Sequence, residues 1–580
     1  MASAMTLSCQ IGNSGSISAS NTRPWPLGGC GIASRAVRAR FKKLIDNPVF
    51  LLGIVAFLTA LLLQSGELGS IDTTRRLQTT HSFWTSAPPV VPEDYPDFGI
   101  VGRNGRIYAW YGMGQCLLML PADVIGTYLE RLPVFANFAD HDPGIRTIVV
   151  SYSTNVLMCV LTVLVCFRFL LLLEFTPNQC IAGAFTLLFG TTFLHYTQNM
   201  MENNFLLLLT LTGLCFQYEW LRTGSTRALL TGSLALGANI LTRLTTVLDI
   251  AAAGLFILLI LSAGNVRGRE LLARLWEYIR VVAPCYALFV LIDRLYQYRR
   301  FGTLWNTYLS VFAEQQRKLD PDLPPNFPWT TPLHTGALGP LITREKSLFL
   351  YDPLMLLTIL LAILIWKRFR PEIQAYLTSG FCLLGAYILF YARYYDWSGD
   401  SAWGDRFITT PVQLLAMLSI PLLLRHRESL RKLACQLGIA LAAVSVIVQI
   451  ASIVFWHPLE IQQMDTLGHP TFVVGLRFKN IGAVALGKVG QWGLSNQLTR
   501  EAGIHSATPY FLPFLLKKDG SVSGATADSL VAVWFALLAA LMSILLLIRR
   551  KAQRGDFSAL RPLRAGALDG MRMRRSHTIE

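Results

Sequence analysis

Charge is what this sequence has least of: 15% of its 580 residues are Asp, Glu, Lys or Arg, against about a quarter in soluble domains. That shortfall excludes an ordinary soluble enzyme. Paired cysteines are missing too. Of ten cysteines, Cys159, Cys166, Cys215, Cys285 and Cys382 fall in apolar runs and Cys9 and Cys30 near the start, with no metal-ligand spacing and no pair in the polar loops. They read as small apolar filler, and neither a disulfide framework nor a zinc site is expected. There is no apolar core close to the first residue, so a secretory signal peptide is not expected. No Asn-x-Ser/Thr occurs anywhere, and no internal repeat is visible, which disfavours a transporter built from two similar halves. No basic stripe with interleaved aromatics appears, so the net charge of +16 does not point to nucleic acid.

What is present is oil: 53% of residues are hydrophobic, in runs of roughly 18 to 22 that suffice to cross a bilayer core as helix. The pattern predicts an all-α polytopic membrane protein with about twelve spans. They fall near 48–64, 147–172, 177–197, 200–220, 227–244, 247–263, 278–296, 347–366, 373–392, 407–424, 433–455 and 528–548. The segment "GQCLLMLPADVIGTYL" (114–129) is too short and Pro-broken to cross, and is expected at the interface. Short loops carrying Arg222 and Arg227, Lys367 and Arg368, Arg425 and Arg427, or Arg549 and Arg550 are assigned to the cytoplasm by the positive-inside bias, with both termini on that side. Residues 1–47 read as a disordered basic tail, 48–455 as the core with external loops 65–145 and 297–346, 456–527 as a further external segment, 528–549 as the last span, and 550–580 as a second basic tail.

Polar groups at the outer ends of the spans are the candidates for chemistry. Asp72, in "GSIDTTRRLQTTHSFW", lies just beyond the first span, where burial beside a watery mouth is expected to raise a carboxyl pKa toward a base's working range; Glu67 is its neighbour and competitor. His195 and Glu202, in "HYTQNMMENNF", occupy a short outer hairpin. Arg243 and Arg406 sit at outer helix ends against the topology bias, so each needs an anionic partner. That partner is either a phosphate or a local acid, Asp249 for Arg243 and Asp405 or Asp400 for Arg406. "DPD" (320–322) and "GRNGR" (102–106) read as turns, since the first lacks an α/β domain around it and the second lacks the Lys-Ser/Thr of a phosphate loop.

The order of these motifs resembles the polytopic GT-C glycosyltransferases, in particular bacterial proteins related to protein O-mannosyltransferases and lipid A aminoarabinose transferases. The likeness rests on "SIDTTRRLQTTHSF", "GIVGRNGRIYAWYGMGQCLLMLP", "TQNMMENNFLLL", "LTR", "KSLFLYDPLMLL" and "WSGDSAWGDRF", spread over residues 48 to 425; the region after 456 matches nothing. It implies a glycosyltransferase of the bacterial cell (inner) membrane that moves a sugar from a polyprenyl-phosphate carrier to an acceptor at the outer face. Asp72 is then the base, Glu202 the second acid, Arg243 and Arg406 the grip on the carrier phosphate, and Lys346 and His195 lesser donor-binding candidates. Where relatives carry an Asp-Glu pair, Asp72 is followed by Thr73, and neither a metal nor another cofactor is indicated. The alternative is a transporter or flippase of a lipid-linked or amphipathic solute. Convergence of Asp72, Glu202, Arg243 and Arg406 on one outer cavity would separate the two.

Overall fold

In lipid a backbone can satisfy its N–H and C=O groups locally only as helix, so runs of Leu, Val, Ile and Ala have one solution. The computed structural model describes residues 46–92, 98–138, 143–264, 268–468, 473–488 and 508–559. The chain divides into residues 1–47, of which Asp46 and Asn47 are described, and Pro48–Glu580, which carries every described helix. Most of both expected tails lies outside the described residues. Among those described, the only sheet is one antiparallel pair, Ile100–Val101 with Ile107–Tyr108, closed by the turn at Asn104 and Gly105, both at positive φ. Everything else with regular structure is helical.

Six described helices are long and apolar enough to cross a membrane: Ile145–Leu172, Leu244–Ala263, Arg269–Phe301, Pro371–Tyr391, Lys432–Ser452 and Gly524–Arg554. Pro48–Leu63 and Thr409–Arg425 are shorter apolar helices. Helices also begin within a few residues of the spans expected at 177, 200 and 227, at Pro177–Gly190, Asn203–Thr223 and Thr226–Ile240. Three expected spans are broken. The run at 177–197 splits at Thr191 and Thr192, that at 347–366 at Asp352 and Pro353, and that at 407–424 at Met417 and Leu418. The first two breaks answer each other: Asp352 accepts from the backbone N–H of Thr192 at 2.7 Å and from its hydroxyl at 3.0 Å.

Helices 48–63, 145–172, 177–190, 203–223, 354–365 and 371–391 share one large core, including Leu52, Val163, Leu187, Leu211, Leu357 and Leu377, all fully buried. A smaller cluster of Leu68, Leu77, Met119, Val150, Met158, Met200 and Phe205 lies under the helix Ile71–His81. It packs that helix onto Gly114–Glu130, the segment expected at the interface, which leaves Leu117, Ile125 and Tyr128 exposed. Buried Asp123 ties three helices together, taking hydrogen bonds from Arg146 Nε at 2.5 Å and Trp84 Nε1 at 2.7 Å and facing His81 Nδ1 at 3.1 Å. Asp320 accepts from the N–H of Asp322, the turn expected of "DPD".

Candidate active site

Asp72 stands in the first turn of the helix Ile71–His81, where a carboxylate complements the helix dipole. Four residues on, one turn along the same face, comes Arg76. Thr73, between them, donates to the carbonyl of Met200 and ties the helix to the hairpin that carries Glu202. Asp72 takes Arg406 Nη1 on one oxygen at 2.5 Å and the Tyr111 hydroxyl on the other at 2.5 Å. Residues 334 positions apart thus form one pair.

The expected rise in the Asp72 pKa is not found. Burial does push it up, but the guanidiniums of Arg406 and Arg76 and the hydrogen bonds from Tyr111 and Arg406 outweigh that, and the carboxyl sits below its ordinary value. Tyr111 moves the other way: burial and the adjacent Asp72 carboxylate hold its hydroxyl protonated well above the usual range.

Glu202 precedes the helix Asn203–Thr223 and is bridged by two guanidiniums, Arg76 on one oxygen and Arg243 on the other. Arg243 therefore does not pair with Asp249, which accepts from the Tyr387 hydroxyl at 2.7 Å. Nor does Arg406 take Asp405 or Asp400 as its ion-pair partner. Because Arg76 reaches both acids, the electrostatic chain Arg406, Asp72, Arg76, Glu202, Arg243 is unbroken. Aromatic faces cover it: Tyr111 lies 4.1 Å from the Arg76 guanidinium carbon, and Phe407 lies 5.2 Å from that of Arg243 and 5.5 Å from that of Arg406.

Two close approaches explain the glycines of the motifs. A Cβ on Gly112 would stand 2.3 Å from the carbonyl oxygen of Leu241, so "YGMG" can lie flat on the segment that ends in Arg243 and set Tyr111 against the acids. Gly114 N–H donates to that same carbonyl at 2.8 Å. A Cβ on Gly399 would stand 2.4 Å from Arg406 Cγ, and its φ of +74° suits only glycine.

Two cavities border this chain of charges. The first, about 340 Å³, is lined by Asp72, Arg76, Glu202, Arg243 and Arg406 and by a wall of aromatics that includes Trp110, Tyr308, Trp329, Tyr391, Tyr394 and Phe407. The second, about 540 Å³, also touches Asp72, Asp400 and Arg406, and its other lining residues mix apolar and polar side chains, among them Leu68, Leu77, Trp456, Gln78 and Asn199. Arg76 Nη1, Arg406 Nε, Trp110 Nε1 and the Thr242 hydroxyl, all on residues lining the first cavity, are buried without a hydrogen-bond partner among the described residues.

The lesser candidates lie elsewhere. Lys346 borders neither cavity; its ammonium donates to the carbonyls of Asp400, Ala402 and Gly404, the last two at 2.9 and 3.2 Å. It fastens the loop that presents Arg406, and burial lowers its pKa to about 8 against the pull of Asp405 and Asp396. His195 lines the second cavity, with its ring stacked on Trp403 at 5.6 Å. Glu67 lines the same cavity and accepts from the Tyr510 hydroxyl at 2.7 Å. Sequence reasoning assigned no role in the site to Arg76, Tyr111 or Arg300, the last of which donates to the carbonyls of Ala109 and Tyr111 at 2.8 and 3.1 Å. The one signal that could have found Arg76 is its spacing of four from Asp72. No cluster of three metal-ligating side chains occurs among the described residues.

No family profile matches the sequence, and no curated protein matches it. Among solved structures, the crystal structure of ArnT from Cupriavidus metallidurans bound to undecaprenyl phosphate is similar over 91% of this chain and 80% of that one, with a TM-score of 0.38 and 14% identity.

Proposed function

We propose that this protein is a membrane glycosyltransferase that moves a sugar from a polyprenyl-phosphate carrier to an acceptor, with chemistry at Asp72. The observation that carries the reading is the convergence of Asp72, Arg76, Glu202, Arg243 and Arg406 on one aromatic-walled cavity at the ends of apolar helices. Three guanidiniums there share two paired carboxylates. Buried N–H groups left without acceptors cost about 1–3 kcal/mol each, and a phosphate would offset that while its prenyl tail meets the aromatic wall. The motif order in the sequence supports the same class. In this reading the chain spans the bacterial inner membrane about twelve times with the site on its outer side.

In the transfer, the acceptor oxygen or nitrogen attacks the anomeric carbon and the bond from that carbon to the phosphate oxygen breaks. Its electron pair leaves with the prenyl phosphate, and the acceptor proton passes to Asp72. Arg406, Arg243 and Arg76 stabilise the leaving phosphate. Arg406 has a double role: while it grips Asp72 it weakens that base. A phosphate arriving on Arg406 takes over part of its positive charge, so Asp72 gains proton affinity as the donor binds. Glu202 holds Arg76 and Arg243 in place.

The test is to incubate the purified full-length protein with a set of radiolabelled sugars on undecaprenyl phosphate, with membrane lipid and glycan fractions as acceptor source. The reading expects label to leave the prenyl phosphate for at least one sugar. Intact donor throughout, across that set, would overturn it.

A further inference from the structure

A second concentration of charge lies far from Asp72. The helix Pro371–Tyr391 borders the aromatic-walled cavity with its last residue, and at about 1.5 Å per residue its 21 residues put its first about 30 Å away, the thickness of a bilayer core. The ends of four helices meet there. Arg222, in the last turn of Asn203–Thr223, donates to the carbonyl of Leu172 at 2.6 Å and pairs with Glu174 at 2.8 Å, and Glu174 also takes Arg370, at the start of Pro371–Tyr391. Arg425 closes the helix Ser419–Arg425, with its guanidinium carbon 5.3 Å from the ring centre of Phe175.

Two loops at this end are strongly basic. One carries Lys367, Arg368 and Arg370; the other carries Arg425, Arg427, Arg431 and Lys432. They touch each other: Arg368 Nη1 donates to the Ser429 carbonyl at 3.3 Å, and the rings of Phe369 and His426 are 5.6 Å apart. The acids on and beside the loops are fewer. Glu174 is shared by Arg222 and Arg370, and Glu372 faces Arg370 again, at 3.4 Å. Arg425, Arg427, Arg431 and Lys432 make no ion pair among the described residues, and Arg425 Nη1 is buried with no hydrogen-bond partner among them. Cations crowded in this way at a membrane surface repel one another and attract an anion.

Below the loops the surface is apolar. The helices Leu354–Ile365, Ser419–Arg425 and Lys432–Ser452 pack together, so closely that a Cβ on Gly438 would stand 2.8 Å from Leu423 and 3.2 Å from Leu357. Near their charged ends they leave Leu364, Leu424 and Leu437 exposed, with Ile363 and Leu433 exposed by 74% and 75%. A free phosphate would use only the cations. A phospholipid uses both, its head group on the loops and its acyl chains on the leucines.

We propose that these two loops form a binding site for an anionic phospholipid in the leaflet away from Asp72, with the lipid phosphate on Arg425 and Arg431 and the acyl chains along Leu433 and Leu437. The site stands whether or not Asp72 takes part in sugar transfer.

The test is native mass spectrometry of the delipidated full-length protein, titrated with dioleoyl phosphatidylglycerol, with dioleoyl phosphatidylcholine, and with the first lipid in the presence of excess inorganic phosphate. Phosphatidylglycerol is expected to bind tighter than phosphatidylcholine by about fivefold or more, and inorganic phosphate should not displace it. Arg425→Gln and Arg431→Gln should each weaken phosphatidylglycerol by about fivefold and leave phosphatidylcholine unchanged. Arg431 is exposed, so that variant reads the site even where Arg425→Gln fails to fold. Arg549→Gln and Arg550→Gln are the controls for diffuse charge. They lie at the same end of the molecule, where Asn178 donates to the Ala552 carbonyl at 3.2 Å, and each should change the affinity by less than about twofold. Equal affinity for the two lipids, displacement by inorganic phosphate, an unchanged Arg431→Gln, or an equal loss in the controls would each overturn the proposal.

Discussion

At the residue scale, the proposed transfer turns on Asp72, a carboxylate whose proton affinity is set by its neighbours. Asp72→Asn keeps the shape and the Tyr111 contact but removes the base, and general-base catalysis is worth about 10²–10⁴ in rate. Transfer should fall by that factor or more while the protein still elutes as a folded species from size exclusion. The pH dependence has a definite sign. A carboxyl whose folded pKa is depressed contributes stability above its unfolded value, about 3.9, and loses it only as pH falls through the lower folded value. The acid limb of kcat/KM, which reports the free enzyme, should therefore lie below about pH 4, and the limb of kcat, which reports the donor complex, should lie above it. Coincident limbs would mean that the donor does not relieve Arg406. Glu202→Gln leaves two guanidiniums without their shared carboxylate in a buried site. It should destabilise the protein by about 3–5 kcal/mol, read as a large drop in Tm.

At the scale of elements, the decisive one is the loop 396–406, presented by Lys346 from a distant segment. Three carbonyls need three N–H groups, and an amine that loses its proton offers two. Below about pH 8 the ammonium is complete; above it one carbonyl loses its donor and Arg406 loses its anchorage. Donor KM should rise above pH 8 in the native protein. In Lys346→Met it should be raised, by about tenfold, without that pH dependence. Gly399→Ala tests the same loop from the other side. A Cβ there collides with the Arg406 stem and strains a backbone at positive φ, so donor KM should rise and Tm should fall, and an unchanged KM would show that Arg406 does not depend on the loop.

At the scale of the whole molecule, the helices were legible because their cause is local: charge-poor runs in lipid have no alternative to helix. Helix starts fall close to the expected boundaries at Pro48, Pro177, Thr226 and Val247. The breaks at Thr191–Thr192 and Asp352–Pro353 were not legible, since they are held by hydrogen bonds between residues 160 apart, and no local pattern encodes such a partner. The same reason hid the site's wiring. Asp72, Glu202, Arg243 and Arg406 could be singled out because each is charged where the apolar runs end, but the partner of each could not, and the local acids that seemed natural partners for the arginines are not the ones used. Lys346 was singled out only through the motif resemblance, while its three carbonyls belong to a loop more than fifty residues away. Two cavities meeting at Asp72 and Arg406 are a property of the assembled helices alone.

The most direct measurement is therefore the position of the carrier phosphate: a cryo-electron-microscopy structure of the full-length protein in nanodiscs with undecaprenyl phosphate. Phosphate density is predicted within hydrogen-bond reach of Arg406 and of Arg243 or Arg76, in the aromatic-walled cavity beside Asp72. Density for the phosphate at any other place, with the Asp72–Arg406 pair undisturbed, would contradict a transferase centred on Asp72.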